Sequence, residues 1–131
     1  MAVQRRTCGE IEAAVCVAVC QVMKEMHGCG ARSIRARLVD DIVLVVLLDV
    51  FSVAQRRLAC IGIDEDPQSM ACLKQYRELL WKKGRVSLEK EIREITGLRT
   101  LSLFHDVCMD RGVETLAFQL DGTPIVRATK H

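Results

Sequence analysis

Apolar residues recur every three or four positions over residues 8–27, which is the period of an amphipathic helix. Polar residues such as Glu10 and Lys24 fall on the other side of that helix. Gly28 and Gly30 follow at the position where a helix C-cap favours a left-handed residue. The pattern therefore predicts a first helix that ends at the Gly-x-Gly segment.

The next two segments have the patterns of strands. Residues 33–39 alternate, with apolar side chains on one side and Arg35 and Arg37 on the other. Residues 42–48 are apolar throughout, which is typical of a central strand covered on both faces. Because Asp40 and Asp41 lie between the two segments, we predict a hairpin that turns at these aspartates.

Capping signals divide the second half of the chain. A Ser-x-x-Gln capping box at residues 52–55 predicts a short helix over residues 53–60. Asp66 as N-cap and Pro67 at the first helical position predict a long helix that ends before Gly97. At 1.5 Å per residue, this long helix would measure about 45 Å.

Two further strands, over residues 98–107 and 113–120, complete the prediction as a second hairpin. The order α-β-β-α-α-β-β predicts an α+β two-layer sandwich, with antiparallel hairpins and the long helix on one face. We expect a single domain over residues 1–131, with its core over about 8–120 and a loose tail over 121–131.

The predicted long helix is longer than the sheet beneath it, because strands of this length span only about 25 Å. An overhanging helix usually packs on something, and a second copy of the chain is the simplest partner. We therefore expect a homodimer in which the long helix forms much of the interface.

Two charged residues fall within the apolar stripe of the long helix. They are Arg77 and Glu91, which lie about 21 Å apart along the axis and so cannot pair with each other in one copy. Charged side chains are rarely buried without a partner. Asp106 or Ser102 on the following strand, or the same residues of a second copy, are the expected partners. Two alternatives stay open, a structural ion pair and a ligand-binding arginine.

The composition is that of a globular protein, with 131 residues of which 50% are apolar and 27% charged. A net charge of +2 does not require an anionic partner, and an aromatic content of 4% leaves few side chains for base stacking. Arg32, Arg35 and Arg37 resemble an anion-binding stripe, but charges are ordinary on the wet face of a strand. We expect no nucleic-acid partner.

The apolar segments are too short for direct membrane insertion. The two candidates, residues 13–20 and 42–48, are far below the roughly 20 residues that span a bilayer, and residues 1–7 do not have the pattern of a signal peptide. Seven cysteines, an odd number, favour free thiols in a reducing compartment. We therefore expect a cytoplasmic protein.

Cysteine and histidine residues offer a possible metal site on the first helix. Cys16, Cys20, Met23 and His27 form one stripe, but His27 lies about 10 Å beyond Cys20 along the axis, and the chain has no Cys-x-x-Cys segment. Because cysteine packs well among valines and methionines, we favour structural cysteines and no metal.

A nucleophilic Cys–His pair is the second chemical candidate. It would combine Cys108 with His105, or Cys29 with His27. Neither pair is accompanied by a recognisable oxyanion turn or a third orienting residue. We therefore predict no catalytic residues and no cofactor, and favour a protein that is not an enzyme.

Several segments resemble one bacterial family of small proteins. These are the Gly-x-Gly helix end, "DVFSVAQRRLA", "YRELLWKKGRVSLEKEIREITGLRTLSLFHDV" and "TLAFQL". Together they resemble the MpsC-like family, over about residues 8–120. The positions that match the family pattern are Arg77, Glu91, Gly97, Ser102, Asp106 and Phe118. The chain departs from the pattern at Ala31, where the family usually has proline, and at Gln55, where it usually has glutamate.

The resemblance implies a soluble accessory or regulatory protein. Members are named after accessory proteins of sodium-translocating, membrane-potential-generating systems. It implies protein–protein binding in support of membrane cation or bicarbonate transport, with a membrane transport protein as a possible partner. The alternative is a small-molecule (anion) binding or catalytic domain built around Arg77 and Asp106. The resemblance carries over no catalytic residues.

Overall fold

The computed structural model describes residues 5–28, 30–64 and 67–128. Within these ranges the chain forms three helices and four strands in the order α-β-β-α-α-β-β, so the predicted α+β class is confirmed. The elements are α1 (Cys8–His27), β1 (Ser33–Val39), β2 (Ile42–Leu48), α2 (Val53–Asp64), α3 (Pro67–Thr96), β3 (Thr100–Cys108) and β4 (Val113–Leu120).

Local capping fixes both ends of α1. Thr7 is the N-cap, and its hydroxyl accepts a hydrogen bond from the backbone N–H of Glu10 at 3.1 Å, while the Glu10 carboxylate accepts one from the Thr7 N–H at 3.0 Å. At the other end Gly28 has φ of 84°, a conformation that glycine adopts without strain, and its N–H donates to the Lys24 carbonyl. The helix therefore ends at the predicted glycine.

The four strands form one antiparallel sheet in the order β1-β2-β4-β3. The central strands are thus β2 and β4, and the edge strands are β1 and β3. Helices α1 and α3 pack against each other and against the same face of the sheet, which we call the inner face. Apolar side chains from both layers meet there and form the core, among them Val15, Leu47, Trp81, Leu88 and Phe118. The two-layer sandwich is therefore confirmed.

One expectation about β2 is wrong within the described chain. The uninterrupted apolar run was expected to be covered on both faces, but Ile42 and Leu44 are 40% and 37% exposed on the face away from the helices. The reason is the topology, because α1 and α3 lie on the inner face and α2 packs on α3. The opposite face, which we call the outer face, receives no described helix.

The long helix α3 is in contact with α1, α2 and β3, so the overhang predicted for it is partly filled by α2. Gly84 is buried at the crossing with α1, where an added Cβ would lie 2.9 Å from Val22 Cγ1. This glycine therefore brings α3 close to α1. Asp66, the predicted N-cap of α3, lies outside the described residues.

The described part of the tail runs beside the beginning of α1. The backbone N–H of Arg127 donates to the carbonyl of Arg6 at 2.9 Å, and its guanidinium donates to the carboxylate of Glu10 at 2.9 Å. The looseness expected of residues 121–131 stays a prediction. Over the described ranges, no helix combines the length and apolar character needed to cross a membrane.

Candidate functional site

The charged residue singled out on α3 is completely enclosed. Arg77 lies one turn from Leu73 and close to Leu80 on the inward side of the helix, and its side chain is 0% exposed. The sheet beneath it supplies a second buried charge, Glu114, at the beginning of β4. Because Leu116 and Phe118 point to the same inner face, Glu114 enters the core with them.

The carboxylate of Glu114 accepts hydrogen bonds from three side chains. Its Oε2 accepts from Arg77 Nε at 3.1 Å, from Trp81 Nε1 at 2.9 Å and from His105 Nε2 at 2.8 Å. Its Oε1 accepts from Arg77 Nη2. The four hydrogen bonds equal the number of lone pairs on a carboxylate, and three of them converge on Oε2. We call these four residues the Glu114 cluster.

Helix and sheet spacing together explain how the cluster forms. Trp81 follows Arg77 by four residues, so the two side chains lie one turn apart on the same side of α3. His105 on β3 is opposite Leu116 and therefore diagonal to Glu114 on the neighbouring strand. One carboxylate thus joins the long helix to both strands of the second hairpin.

Two opposing effects set the ionisation of Glu114. Burial by itself would raise the pKa of this carboxyl group, because it penalises the charged form. Hydrogen bonds from His105 and Arg77, together with their charges, outweigh that effect and hold the pKa of Glu114 below its ordinary value. The carboxylate is therefore ionised at neutral pH. An ionised carboxylate only accepts hydrogen bonds, so His105 carries its proton on Nε2.

The geometry of Arg77 is that of an ion pair and not that of a ligand site. A bound anion would have to reach a guanidinium that is fully buried and already carries a bidentate contact to a carboxylate. Within the described residues Arg77 Nη1 and His105 Nδ1 have no hydrogen-bond partner, and both atoms are buried. Neither atom is therefore accessible to a ligand from solution.

The other predicted site residues do not join this cluster. The Asp106 side chain is 80% exposed on edge strand β3, and its Oδ1 lies 3.9 Å from Nζ of Lys74 on α3, across the edge of the sheet. Ser102 belongs to the outer face of β3 and is half-buried. Glu91 is half-buried on α3 and makes no hydrogen bond or ion pair with any described residue. Arg77, Glu91, Ser102 and Asp106 thus form no common site.

Sequence reasoning missed three members of the cluster, of which Glu114 is the most informative. The sequence did contain a sign that Glu114 is buried. Glu114 falls at the same alternating positions of the strand as Leu116, Phe118 and Leu120. A carboxylate in register with that apolar face is as unusual as a guanidinium in the apolar stripe of α3. Examining both anomalies together would have indicated the pair.

Two of the described cysteines, Cys16 and Cys108, have thiols that are held in the protonated form. The Cys108 thiol donates to Asp110 Oδ1 at 2.8 Å, and this hydrogen bond raises the pKa of Cys108. Burial raises the pKa of Cys16, whose thiol donates to the Ile34 carbonyl. Cys108 lies on the outer face of β3 and His105 on the inner face, so they do not form the nucleophilic pair we considered.

The second Cys–His pair involves Cys29, which lies outside the described residues. Over the ranges 5–28, 30–64 and 67–128, no three His, Cys, Asp or Glu residues lie close enough together to hold a metal ion. That the cysteines are structural and bind no metal stays a prediction.

A cleft of about 220 Å³ lies beside the Glu114 cluster. It is lined by Glu78, Trp81, Lys82, Arg85, Leu103 and His105. Its charges are mixed, and the Arg85 guanidinium donates to the Glu89 carboxylate at 2.6 Å. The cleft thus has mixed polar and apolar walls next to the cluster, and Arg77 does not line it.

The comparison with protein families gives the context for this arrangement. Residues 7–122 match the model of the family described as "Na+-translocating membrane potential-generating system (MpsC)". The chain belongs to the MpsC family. The match begins at Thr7, the N-cap of α1, and includes every strand and helix of the described fold. No curated protein and no solved structure shows significant similarity to the chain.

Two positions shared with the MpsC family pattern have structural roles. Gly97 has φ of 77° and ends α3, with its N–H donating to the Arg93 carbonyl at 2.7 Å. Phe118 is completely buried in the core beneath the helices. Arg77 is structural in the same sense, because its charge is neutralised inside the protein. Gly97, Phe118 and Arg77 thus each have a role in the fold of this chain.

Proposed function

We propose that this MpsC-family chain is a small, non-enzymatic accessory or regulatory protein that acts by binding other proteins. The family description supports an association with a sodium-translocating, membrane-potential-generating system. In this proposal the chain supports membrane cation or bicarbonate transport, and its partner is a protein of the transport system.

The enclosure of Arg77 carries the non-enzymatic part of the proposal. The arginine is the most unusual charge in the sequence, and its guanidinium is neutralised by Glu114 and has no exposed surface. On the surface, the Cys108 thiol is held in its protonated form by its hydrogen bond to Asp110. Because the Arg77 charge is neutralised in the core, we expect the protein to act through its exposed surface, by binding a partner protein.

The proposal includes a cytoplasmic location and a homodimer. The six cysteines of the described residues are free thiols, which agrees with a reducing compartment. The exposed apolar residues on the outer face of the sheet, Phe104 among them, favour association with another protein surface.

The role in transport can be tested in cells from which the protein has been removed. A potential-sensitive dye would measure the membrane potential with and without external Na⁺. We expect the Na⁺-dependent part to fall, and to recover when the chain is supplied again. Cross-linking in intact cells should then join the chain to a membrane subunit of the sodium-translocating system. An unchanged Na⁺-dependent potential would contradict the accessory role.

Anion binding in the cleft beside the cluster is the second candidate, because Lys82 and Arg85 line it. Titration calorimetry of the purified protein with bicarbonate and with phosphate would detect such a site. We expect no saturable heat. Saturable binding that is lost in Lys82→Ala, and kept in Lys90→Ala on an exposed part of α3, would favour the second candidate over the first.

A further inference from the structure

The outer face of the sheet is an apolar surface that no described helix covers. Its side chains are those at the outward positions of all four strands. They are Ser33, Arg35, Arg37 and Val39 of β1; Ile42, Leu44, Val46 and Leu48 of β2; Val113, Thr115, Ala117 and Gln119 of β4; and Ser102, Phe104, Asp106 and Cys108 of β3. Phe104 is 61% exposed and Val39 is 56% exposed.

The composition of β2 shows that this exposure is unusual. All seven residues of the strand are apolar, so its outer side is as apolar as the side that packs in the core. A strand with one wet face ordinarily alternates apolar and polar residues, whereas a strand covered twice does not. The sequence of β2 is therefore that of a strand whose outer side is also covered, and none of the described helices supplies that cover.

Charges at the two edges of the outer face indicate what kind of partner would cover it. The pairing register places Arg35 beside Val46, Val46 beside Thr115, and Thr115 beside Asp106, so one straight row runs from a cation on β1 to an anion on β3. The neighbouring row runs from Arg37 through Leu44 and Ala117 to Phe104. Each row thus has an arginine at its β1 end and a group that attracts a cation, a carboxylate or an aromatic ring, at its β3 end.

We infer that two copies of the chain pack their outer faces together about a two-fold axis parallel to the strands. This rotation places β1 of one copy over β3 of the other and keeps each row in register. Arg35 then faces Asp106 of the second copy, and the symmetry forms this pair twice. Arg37 meets the ring of Phe104, a favourable cation–π arrangement. Sheets packed face to face keep their strands within about 30° of one another, which this axis allows.

The alternative two-fold axis, in the plane of the interface and perpendicular to the strands, is disfavoured by the same charges. It would place β1 over β1 and bring the arginines of the two copies together, while Asp106 would face Asp106. The outer face is therefore complementary to itself in only one of the two arrangements. Self-complementarity is the property that an interface between identical subunits requires, and it favours a second copy over an unrelated partner.

This inference rests on the proposed function only for the expectation that the protein acts by binding, and its test is separate. Light scattering and sedimentation would measure the mass of the purified full chain. We expect twice the 14.7 kDa of one copy. Phe104→Ser should convert the dimer to monomers. These monomers should stay folded, with an unchanged circular dichroism spectrum, because Phe104 is exposed in each copy.

A charge exchange tests the arrangement itself. Arg35→Asp and Asp106→Arg should each raise the dimer dissociation constant at least about tenfold, because each change places like charges together at two symmetric positions. The double variant restores both pairs in reversed order and should dimerise nearly as well as the wild type. Lys83→Asp, an equal charge change on the exposed side of α3, is the matched control and should not affect the mass.

Three results would overturn the inference. The first is a wild-type chain that stays monomeric at all accessible concentrations. The second is a dimer that withstands both Phe104→Ser and the single charge reversals. The third is a dimer that is broken by Val86→Ser on the exposed side of α3, which would place the interface on the long helix. In each case the membrane-potential assay still tests the accessory role independently.

Discussion

Arg77 of α3 and Glu114 of β4 form a bidentate ion pair in which neither side chain has any exposed surface. The pair lies beneath the helix layer, where Trp81 and His105 give Glu114 two further hydrogen bonds. Removing two charges from water is costly, and a buried pair persists only when such additional hydrogen bonds satisfy the remaining lone pairs. The cluster meets this condition for its carboxylate, which makes it a point of attachment between the two layers.

A double-mutant cycle should show that the two charges depend on each other. Arg77→Met leaves Glu114 buried without its strongest partner, and Glu114→Leu leaves Arg77 with none, so each should lower the free energy of unfolding by about 3–5 kcal/mol. Glu114→Leu should cost more, because Trp81 and His105 lose their acceptor as well. The double variant should lose less than the sum. Chemical denaturation of the four proteins gives these values.

The control for this cycle is Lys74→Met, which removes a cation of α3 whose contact to Asp106 is long and exposed. It should change stability by less than about 1 kcal/mol. Stability that is unchanged in Arg77→Met would mean that the arginine is solvated, and the ligand-binding alternative would then regain support.

Acid should weaken the protein through Glu114. Its pKa is lower in the folded state than in the unfolded chain, so its contribution to stability is complete above the unfolded pKa of about 4.3. The contribution is lost as the pH falls from there through the lower, folded pKa. We therefore expect the free energy of unfolding to decrease with acidification in this window, and to decrease less steeply in the Arg77→Met/Glu114→Leu double variant.

The chain provides its own probe for this experiment, because its single tryptophan, Trp81, donates to Glu114. Fluorescence-monitored denaturation at a series of pH values would follow the cluster directly. Glu94→Gln, which removes an exposed carboxylate from α3, serves as the comparison for the loss of one acidic group. Equal slopes for the wild type and the double variant below pH 4.3 would exclude Glu114 as a source of acid sensitivity.

The sequence predicts the elements well where their signals are local. The bounds of α1, β1, β2 and β4 agree with the prediction, because Gly28, the aspartates of the first turn and the apolar periods act over a few residues. The α2 helix extends beyond the predicted residue 60 to Asp64, so Gly62, a residue type that often ends helices, lies within it.

The candidate site was less predictable because its contacts are long-range. Arg77 and Glu114 are separated by 37 residues, and their meeting depends on how α3 crosses β4. A pattern along one element shows that Arg77 needs a partner, but not which strand supplies it. The same limit applies to β2, whose apolar sequence indicates two covered faces without showing that the described helices all lie on one of them.

Gly84→Ala should test how closely α3 crosses α1. The added Cβ would lie 2.9 Å from Val22 Cγ1, a distance at which either the Val22 side chain or one of the two helices must shift. We expect a loss of about 1–3 kcal/mol from overpacking, partly offset by about 1 kcal/mol of better helix propensity. In a Val22→Ala background the clash is absent, so the same change should be neutral or stabilising. Thermal unfolding of the four proteins measures both effects.

The control for the close crossing is Ser87→Ala, which changes helix propensity on the exposed side of α3 without adding any volume to the core. It should be stabilising or neutral in both backgrounds. A Gly84→Ala protein that is as stable as the wild type, with Val22 present, would mean that the helices separate easily at this point.

Hydrogen exchange should find its most protected amides in β2. This strand is paired on both sides, to β1 and to β4, and three of its side chains, Val43, Val45 and Leu47, are completely buried. Because its backbone hydrogen bonds lie within the sheet of one copy, the Phe104→Ser monomer should keep most of this protection. The edge strand β3, which pairs only with β4, should exchange faster. Exchange in β2 as fast as in residues 121–128 would show that the central-strand assignment is wrong.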